Sequence, residues 1–139
     1  MVRQIFVNLP VKNLKRTMAF FSALGFRFNK DFTDKKAASM IIGRNMYAML
    51  LVEKFFKSFL KKKGISDARK KTEVITALEL KSKREVDAML KKAFKAGARK
   101  AGKRYDYGYM YGQAIEDLDG HIWEFFWFDL KGFRKANKK

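Results

Sequence analysis

The sequence predicts an α+β fold: two βαβββ modules forming one curved mixed β-sheet, with helices on the convex face. Two observations predict it. Strand-like and helix-like segments follow the order β-α-β-β-β, then a connecting helix, then β-α-β-β-β again. The second strand–helix unit restarts about 70 residues after the first, an internal structural repeat. Joining the sheets of two such units leaves a cavity on the concave side. At 139 residues, 47% apolar and 15% aromatic, the chain is long enough and apolar enough for one domain with a core. The domain is expected over residues 1–130, with modules at about 1–63 and 72–130 and a basic tail at 131–139.

In the first module, residues 4–9 read as a strand, and Pro10 is expected to end its pairing because proline has no amide hydrogen to donate. Asn13 suits an N-cap. Leu14, Thr17, Met18, Phe21 and Leu24 then recur at helical spacing, and Gly25 closes that helix. Residues 26–29 are a second strand and 31–34 a loop. Residues 37–42 and 47–52 are two further strands, with Gly43-Arg44-Asn45 as the hairpin turn. Residues 53–63, with Phe55, Phe56, Phe59 and Leu60, predict an amphipathic helix. The polar stretch 64–72 reads as the boundary and as a mobile segment.

The second module opens with a strand at 73–80. Ser82 with Glu85 three residues on forms a capping box, followed by a helical face of Val86, Met89, Leu90, Ala93 and Phe94 that ends at Gly97. Strands are expected at 98–103, 109–115 and 122–128, and the tail is expected to fray.

Charge is the unusual property. Net +18 far exceeds the magnitude of about 2–8 common for a small soluble domain. Non-specific binding to polyanions or acidic proteins and surface loading, as in a positively supercharged variant, both account for it. Specific nucleic-acid recognition fits less well, because lysine dominates and no recognition motif is present. With no cysteine, the chain has no disulfide, thiolate metal site or cysteine nucleophile, which fits a reducing, cytoplasmic setting. No apolar run approaches the roughly 20 residues that span a bilayer, so no membrane insertion is expected.

The chemistry concentrates at 117–128. Asp119-Gly120 supplies a tight turn, and Ile122, Glu124, Phe126 and Phe128 then share one strand face while Trp123, Phe125 and Trp127 share the other. The composition predicts burial on both faces. A carboxylate there is costly unless paired, so Glu124 is a ligand, a catalytic group or an acid held by a hydrogen bond. His121, the sole histidine, is expected to be exposed in the turn. The run Tyr105, Tyr107, Tyr109 and Tyr111 suits a ligand pocket, base stacking or plain edge packing. No Ser-His-Asp set, phosphate-cradling glycine loop or pair of catalytic carboxylates is present.

Leu9-Pro10-Val11-Lys12-Asn13-Leu14, then Phe20-Phe21 and Leu24-Gly25-Phe26, and finally the run from Asp117 to Glu124 together resemble the glyoxalase/bleomycin-resistance/extradiol-dioxygenase group, the vicinal oxygen chelate superfamily. The resemblance covers nearly the whole chain and is nearest to small glyoxalase-like proteins. It implies a homodimer and a divalent metal held by one residue on the first strand of each module and a glutamate on the last strand. Those positions fall on Phe6, Ile75 and Glu124. Phe6 and Ile75 cannot bind a cation. Gln4 and Asn8 are the same-face polar substitutes on the first strand, and Thr76 faces the helices in this register. The metal site therefore reads as degenerate and no cofactor is expected, with a divalent metal as the alternative. The function expected is binding of a small organic ligand in the concave pocket, lined by Phe6, Asn8, Ile75, Ala77, Tyr109 and Glu124, with Glu124 the candidate catalytic residue. The alternatives are a metal-dependent lyase or dioxygenase and a cationic scaffold for electrostatic assembly.

Overall fold

The structure, a computed structural model, describes residues 1–61 and 63–138. The chain divides into two compact units, Met1–Asp67 and Ala68–Lys139. The class is α+β, with one mixed sheet in each unit. Among the described residues, no helix is long and apolar enough to cross a membrane.

The first unit runs β1 (Ile5–Val11), α1 (Leu14–Ala23), β2 (Arg27–Asn29), a 3-10 turn (Lys30–Phe32), β3 (Ala37–Gly43), β4 (Met46–Val52) and α2 (Glu53–Lys57). Its sheet has the order β1-β4-β3-β2, with β1 parallel to β4 and the other pairs antiparallel. Asn13 caps α1 by accepting the amide of Arg16 at 2.9 Å, and Gly25 leaves the helix at φ +103. Leu14, Thr17, Phe20, Phe21 and Leu24 are buried, whereas Met18 is only half-buried. The buried stripe of α1 thus runs through Phe20, which the spacing left out, and leaves Met18 at its margin. Val11, Ala38, Met40, Ala48 and Leu50 complete this core from the sheet.

Two expectations fail here. Pro10 does not end β1; it pairs in register with Leu51, and the strand continues to Val11. β1 is paired on one side only within this sheet, and an edge strand is where a proline is tolerated. The helix expected over 53–63 ends at Lys57, and of that range residue 62 lies outside the described residues.

The second unit runs β5 (Ile75–Glu79), α3 (Lys83–Lys95), β6 (Arg99–Lys100), β7 (Tyr105–Asp106), β8 (Met110–Glu116), β9 (Ile122–Phe128) and α4 (Leu130–Ala136). Its sheet has the order β5-β9-β8-β6, with β7 also on β8 and β5 parallel to β9. The Ser82 hydroxyl accepts the amide of Glu85 at 3.1 Å, and the Glu85 carboxylate accepts that of Lys81 at 3.0 Å. Val86, Leu90 and Ala93 of α3 pack with Ile115, Trp123 and Phe125, all fully buried. Each large apolar side chain so buried contributes about 1.5–3 kcal/mol.

Burial of β9 is one-sided, not two-sided. Trp123 and Phe125 are buried, while Ile122, Glu124, Phe126 and Phe128 of the other face, and Trp127 at the end of the core face, are half-buried. The apolar run marks a strand with one core face and one open aromatic face. The strand expected at 98–103 shrinks to β6, and β7 forms where none was expected. The tail does not fray through its length: α4 folds within it, because Phe133 packs on Tyr109 and Phe128 at ring distances of 5.3 and 5.4 Å. Residue 139 of that tail lies outside the described residues.

Candidate functional site

In each unit one sheet face lies opposite the core packed by its longer helix, α1 or α3; in the second, Phe133 of α4 packs on Phe128 at the end of that face. In the first, alternation puts Phe6 and Asn8 of β1 on that face, beside Tyr47 and Met49 of β4 and Ser39 of β3. Phe6 stacks on its register partner Tyr47, with centroids 4.9 Å apart and planes 13° apart. With Phe32 these rings wall a cavity of about 420 Å³. Gln4, Asn8, Asn29 and Ser39 supply its polar edge, and among the described residues no charged one lines it. Asn29 is held in place by accepting the amide of Asp31 at 3.0 Å.

In the second unit, Ile75 and Ala77 of β5 pair with Ile122 and Glu124 of β9. On the other side, Ala114 and Gly112 of β8 pair with Glu124 and Phe126. Glu124 thus stands on an apolar floor. Its partner is Tyr105, whose hydroxyl donates to Oε2 at 2.5 Å. Tyr105 reaches it across Gly112: a Cβ at residue 112 would lie 2.7 Å from the Tyr105 hydroxyl and 2.5 Å from the Phe125 carbonyl. Burial, then the Glu124 hydrogen bond and charge, pushes the Tyr105 phenol well above its ordinary range.

The turn after β7 sets this ring. The Asp106 carboxylate accepts the Gly108 amide at 2.8 Å, and that bond, with Lys83 beside it, holds Asp106 below the usual carboxylate range. Gly108 sits at φ +83, which returns the chain into β8. Tyr105, Tyr107 and Tyr109 form a stack with spacings of 5.5 and 6.2 Å. Tyr109 closes its far end against Phe128 and Phe133. Tyr107, in the middle of the stack, stays exposed, while Tyr105 and Tyr109 are half-buried. Tyr111 leaves the stack: its hydroxyl donates to Asp87, which raises its pKa, and Arg104 bridges the same carboxylate at 3.0 Å.

The turn between β8 and β9 is organised by Asp117, which is 4% exposed. It accepts the amides of Asp119 and His121 at 2.9 and 3.0 Å and the indole N–H of Trp123 at 2.9 Å. Burial raises its pKa despite these donors. Gly120 closes the turn at φ +90. His121 is half-buried, not exposed as expected.

Of the predicted site residues, Phe6 and Asn8 lie on the first open face, and Ile75, Ala77 and Glu124 on the second. Tyr109 sits at the end of the tyrosine stack. Sequence reasoning missed Tyr47, whose signal is its register with Phe6, and the link from Tyr105 to Glu124 across Gly112.

A divalent ion does not fit these residues. Of positions 6, 75 and 124, only Glu124 carries a donor, and one of its oxygens is taken by Tyr105. Among the described residues, no group of three or more His, Cys, Asp or Glu gathers to hold an ion.

The fold recurs in solved structures. A hypothetical protein of S. aureus is 27% identical, with TM-score 0.77 over 91% of this chain and 94% of that one. A glyoxalase-related enzyme of Fulvimarina pelagi is 15% identical, with TM-score 0.75 over 91% and 88%. The fosfomycin resistance protein FosX of Listeria monocytogenes, solved with Mn(II) and sulfate ion, is 16% identical, with TM-score 0.70 over 98% of each chain. No match emerges among curated proteins. Residues 3–125 match the family model for the Glyoxalase/Bleomycin resistance protein/Dioxygenase superfamily. Two strand–helix–strand units, one with a four-stranded and one with a five-stranded mixed sheet, and a match along most of the chain make this protein a member of that superfamily.

Proposed function

We propose that this protein binds a small, flat, uncharged organic molecule without a resident metal. The observation that carries this reading is the first unit's cavity of about 420 Å³, walled by the Phe6–Tyr47 pair and edged by amides and a hydroxyl. Its volume lies in the range of about 300–1,000 Å³ of small-molecule sites. Rings of this kind hold a planar ligand by offset stacking, and the neutral donors and acceptors of Gln4, Asn8 and Asn29 orient its polar rim. Charged ligands gain nothing from such a lining. The reading is a binding role and assigns no reaction.

The test is a set of neutral bicyclic heteroaromatic amides, with quinoline-2-carboxamide first, titrated against isotope-labelled protein by NMR. Amide signals of Phe6, Asn8, Ser39 and Tyr47 are expected to move together. Tyr47→Ala is expected to weaken binding about tenfold, the equivalent of about 1.4 kcal/mol. Shifts confined to other residues, or equal binding by the variant, would sink the reading.

A further inference from the structure

Between Asp87 and Asp106 the chain has seven basic residues and no acid: Lys91, Lys92, Lys95, Arg99, Lys100, Lys103 and Arg104. The fold divides them. Arg104 is engaged at the surface by Asp87, Tyr111 and Gln113. Arg99 lies opposite Glu116 across the β6–β8 pair. The five lysines stay exposed. Lys91 and Lys95 share a face of α3, one turn apart, and Lys92 lies three residues before Lys95. Gly97, at φ +111, turns the chain into β6 at the sheet edge, so Lys100 follows on that strand and Lys103 in the turn after it. The acids bordering this strip are engaged: Asp87 by Arg104 and Tyr111, and Asp106 by Lys83 and the Gly108 amide.

We infer that the lysine strip formed by the end of α3, β6 and the following turn docks the phosphate backbone of nucleic acid, without reading its sequence. The composition of the strip selects this partner. No large apolar side chain from residue 76 to residue 106 is exposed. A stable protein interface needs apolar or aromatic anchors at its centre, and a membrane-surface site needs apolar residues to insert. Phosphate backbones need neither: lysine point charges displace condensed counterions, and that release drives binding. Lysine in place of arginine fits contact with phosphate but not bidentate readout of bases.

The experiment measures binding of the full chain to a fluorescent mixed-sequence DNA duplex across a salt series. One variant replaces Lys91, Lys92, Lys95, Lys100 and Lys103 with glutamine. A matched variant replaces five exposed basic residues elsewhere, Lys15, Arg16, Lys57, Lys131 and Lys135. The slope of log K against log salt falls by about 0.9 for each phosphate that is no longer neutralised. The strip variant is expected to lose roughly 3–4 units of slope, and the matched variant less than about 1. Equal losses would show that net charge alone binds DNA and would overturn the inference. So would tight binding to anionic phosphatidylserine vesicles through the same lysines with none to the duplex. If circular dichroism shows the five-site variant unfolded, K91Q/K95Q on the solvent side of α3 takes its place, with a loss of about 2 units expected.

Discussion

The hydroxyl of Tyr105 donates to Glu124 at 2.5 Å across a residue, Gly112, that has no side chain to block it. In Gly112→Ala the new methyl would meet the Phe125 carbonyl, the Tyr105 hydroxyl and the Phe126 Cβ at 2.5, 2.7 and 2.8 Å. A tyrosine ring can swing away, but a ladder carbonyl cannot. Chemical denaturation should show a loss of about 1–3 kcal/mol, the usual range for overpacking. Stability within a few tenths of wild type would mean that the close approach of Tyr105 is not enforced.

Removing the charge at position 124 should free the phenol. In the folded protein Tyr105 ionises well above the ordinary tyrosine value near 10, through burial and then through Glu124. The unfolded chain ionises first as pH rises, so the stability due to this group is whole below pH 10 and lost as pH climbs above it. Ultraviolet titration of Glu124→Gln should show one tyrosine ionising at lower pH than in wild type. Alkaline unfolding of Tyr105→Phe should begin at higher pH. An unchanged phenol titration in Glu124→Gln would refute the coupling.

Asp117 sets an opposite pH trend to that of a paired surface acid. Burial raises its folded pKa above the ordinary value of 3.8. As pH rises through the window just above that value, the unfolded chain releases its proton first, and the contribution of Asp117 to stability falls. Asp117→Asn should abolish this segment of the stability profile. It also turns an amide donor toward the Trp123 indole N–H, which Asp117 accepts at 2.9 Å. The cost should be about 1–3 kcal/mol at neutral pH, read by tryptophan fluorescence during urea unfolding.

Metal content discriminates the binding role from a metal-dependent lyase or dioxygenase. Protein purified without chelator, and again after incubation with Ni, Zn, Mn and Fe salts, should hold well under one ion per chain. About one tightly held ion, lost in Glu124→Ala, would restore the metal enzyme.

Legibility in the sequence followed the range of the interaction. Asn13, Ser82 and Gly25 were readable because caps and turns are settled within four residues. β9 was readable to its last residue because Asp119-Gly120 starts it and its apolar run sets its length. Its one-sided burial was not readable, since Phe and Trp fill an open aromatic face as readily as a core. β7 and α4 depend on partners distant along the chain, β8 for one and Tyr109 for the other. The two-residue β6 and the short α2 fell below what periodicity resolves. At the site, Glu124 stood out as an acid among aromatics. Tyr105 was one member of a tyrosine run, and only the β7–β8 register makes it the partner.

Both units share one pairing rule. An antiparallel hairpin, β3–β4 or β8–β9, joins strands close in sequence, and a parallel strand, β1 or β5, then adds across an intervening helix. The consequence is kinetic. Loop closure favours the short hairpins as nuclei, and the first strand of each unit docks last. Amide protons in β1 and β5 should therefore exchange before those in the hairpins, and the chain should open from the beginning of each repeat.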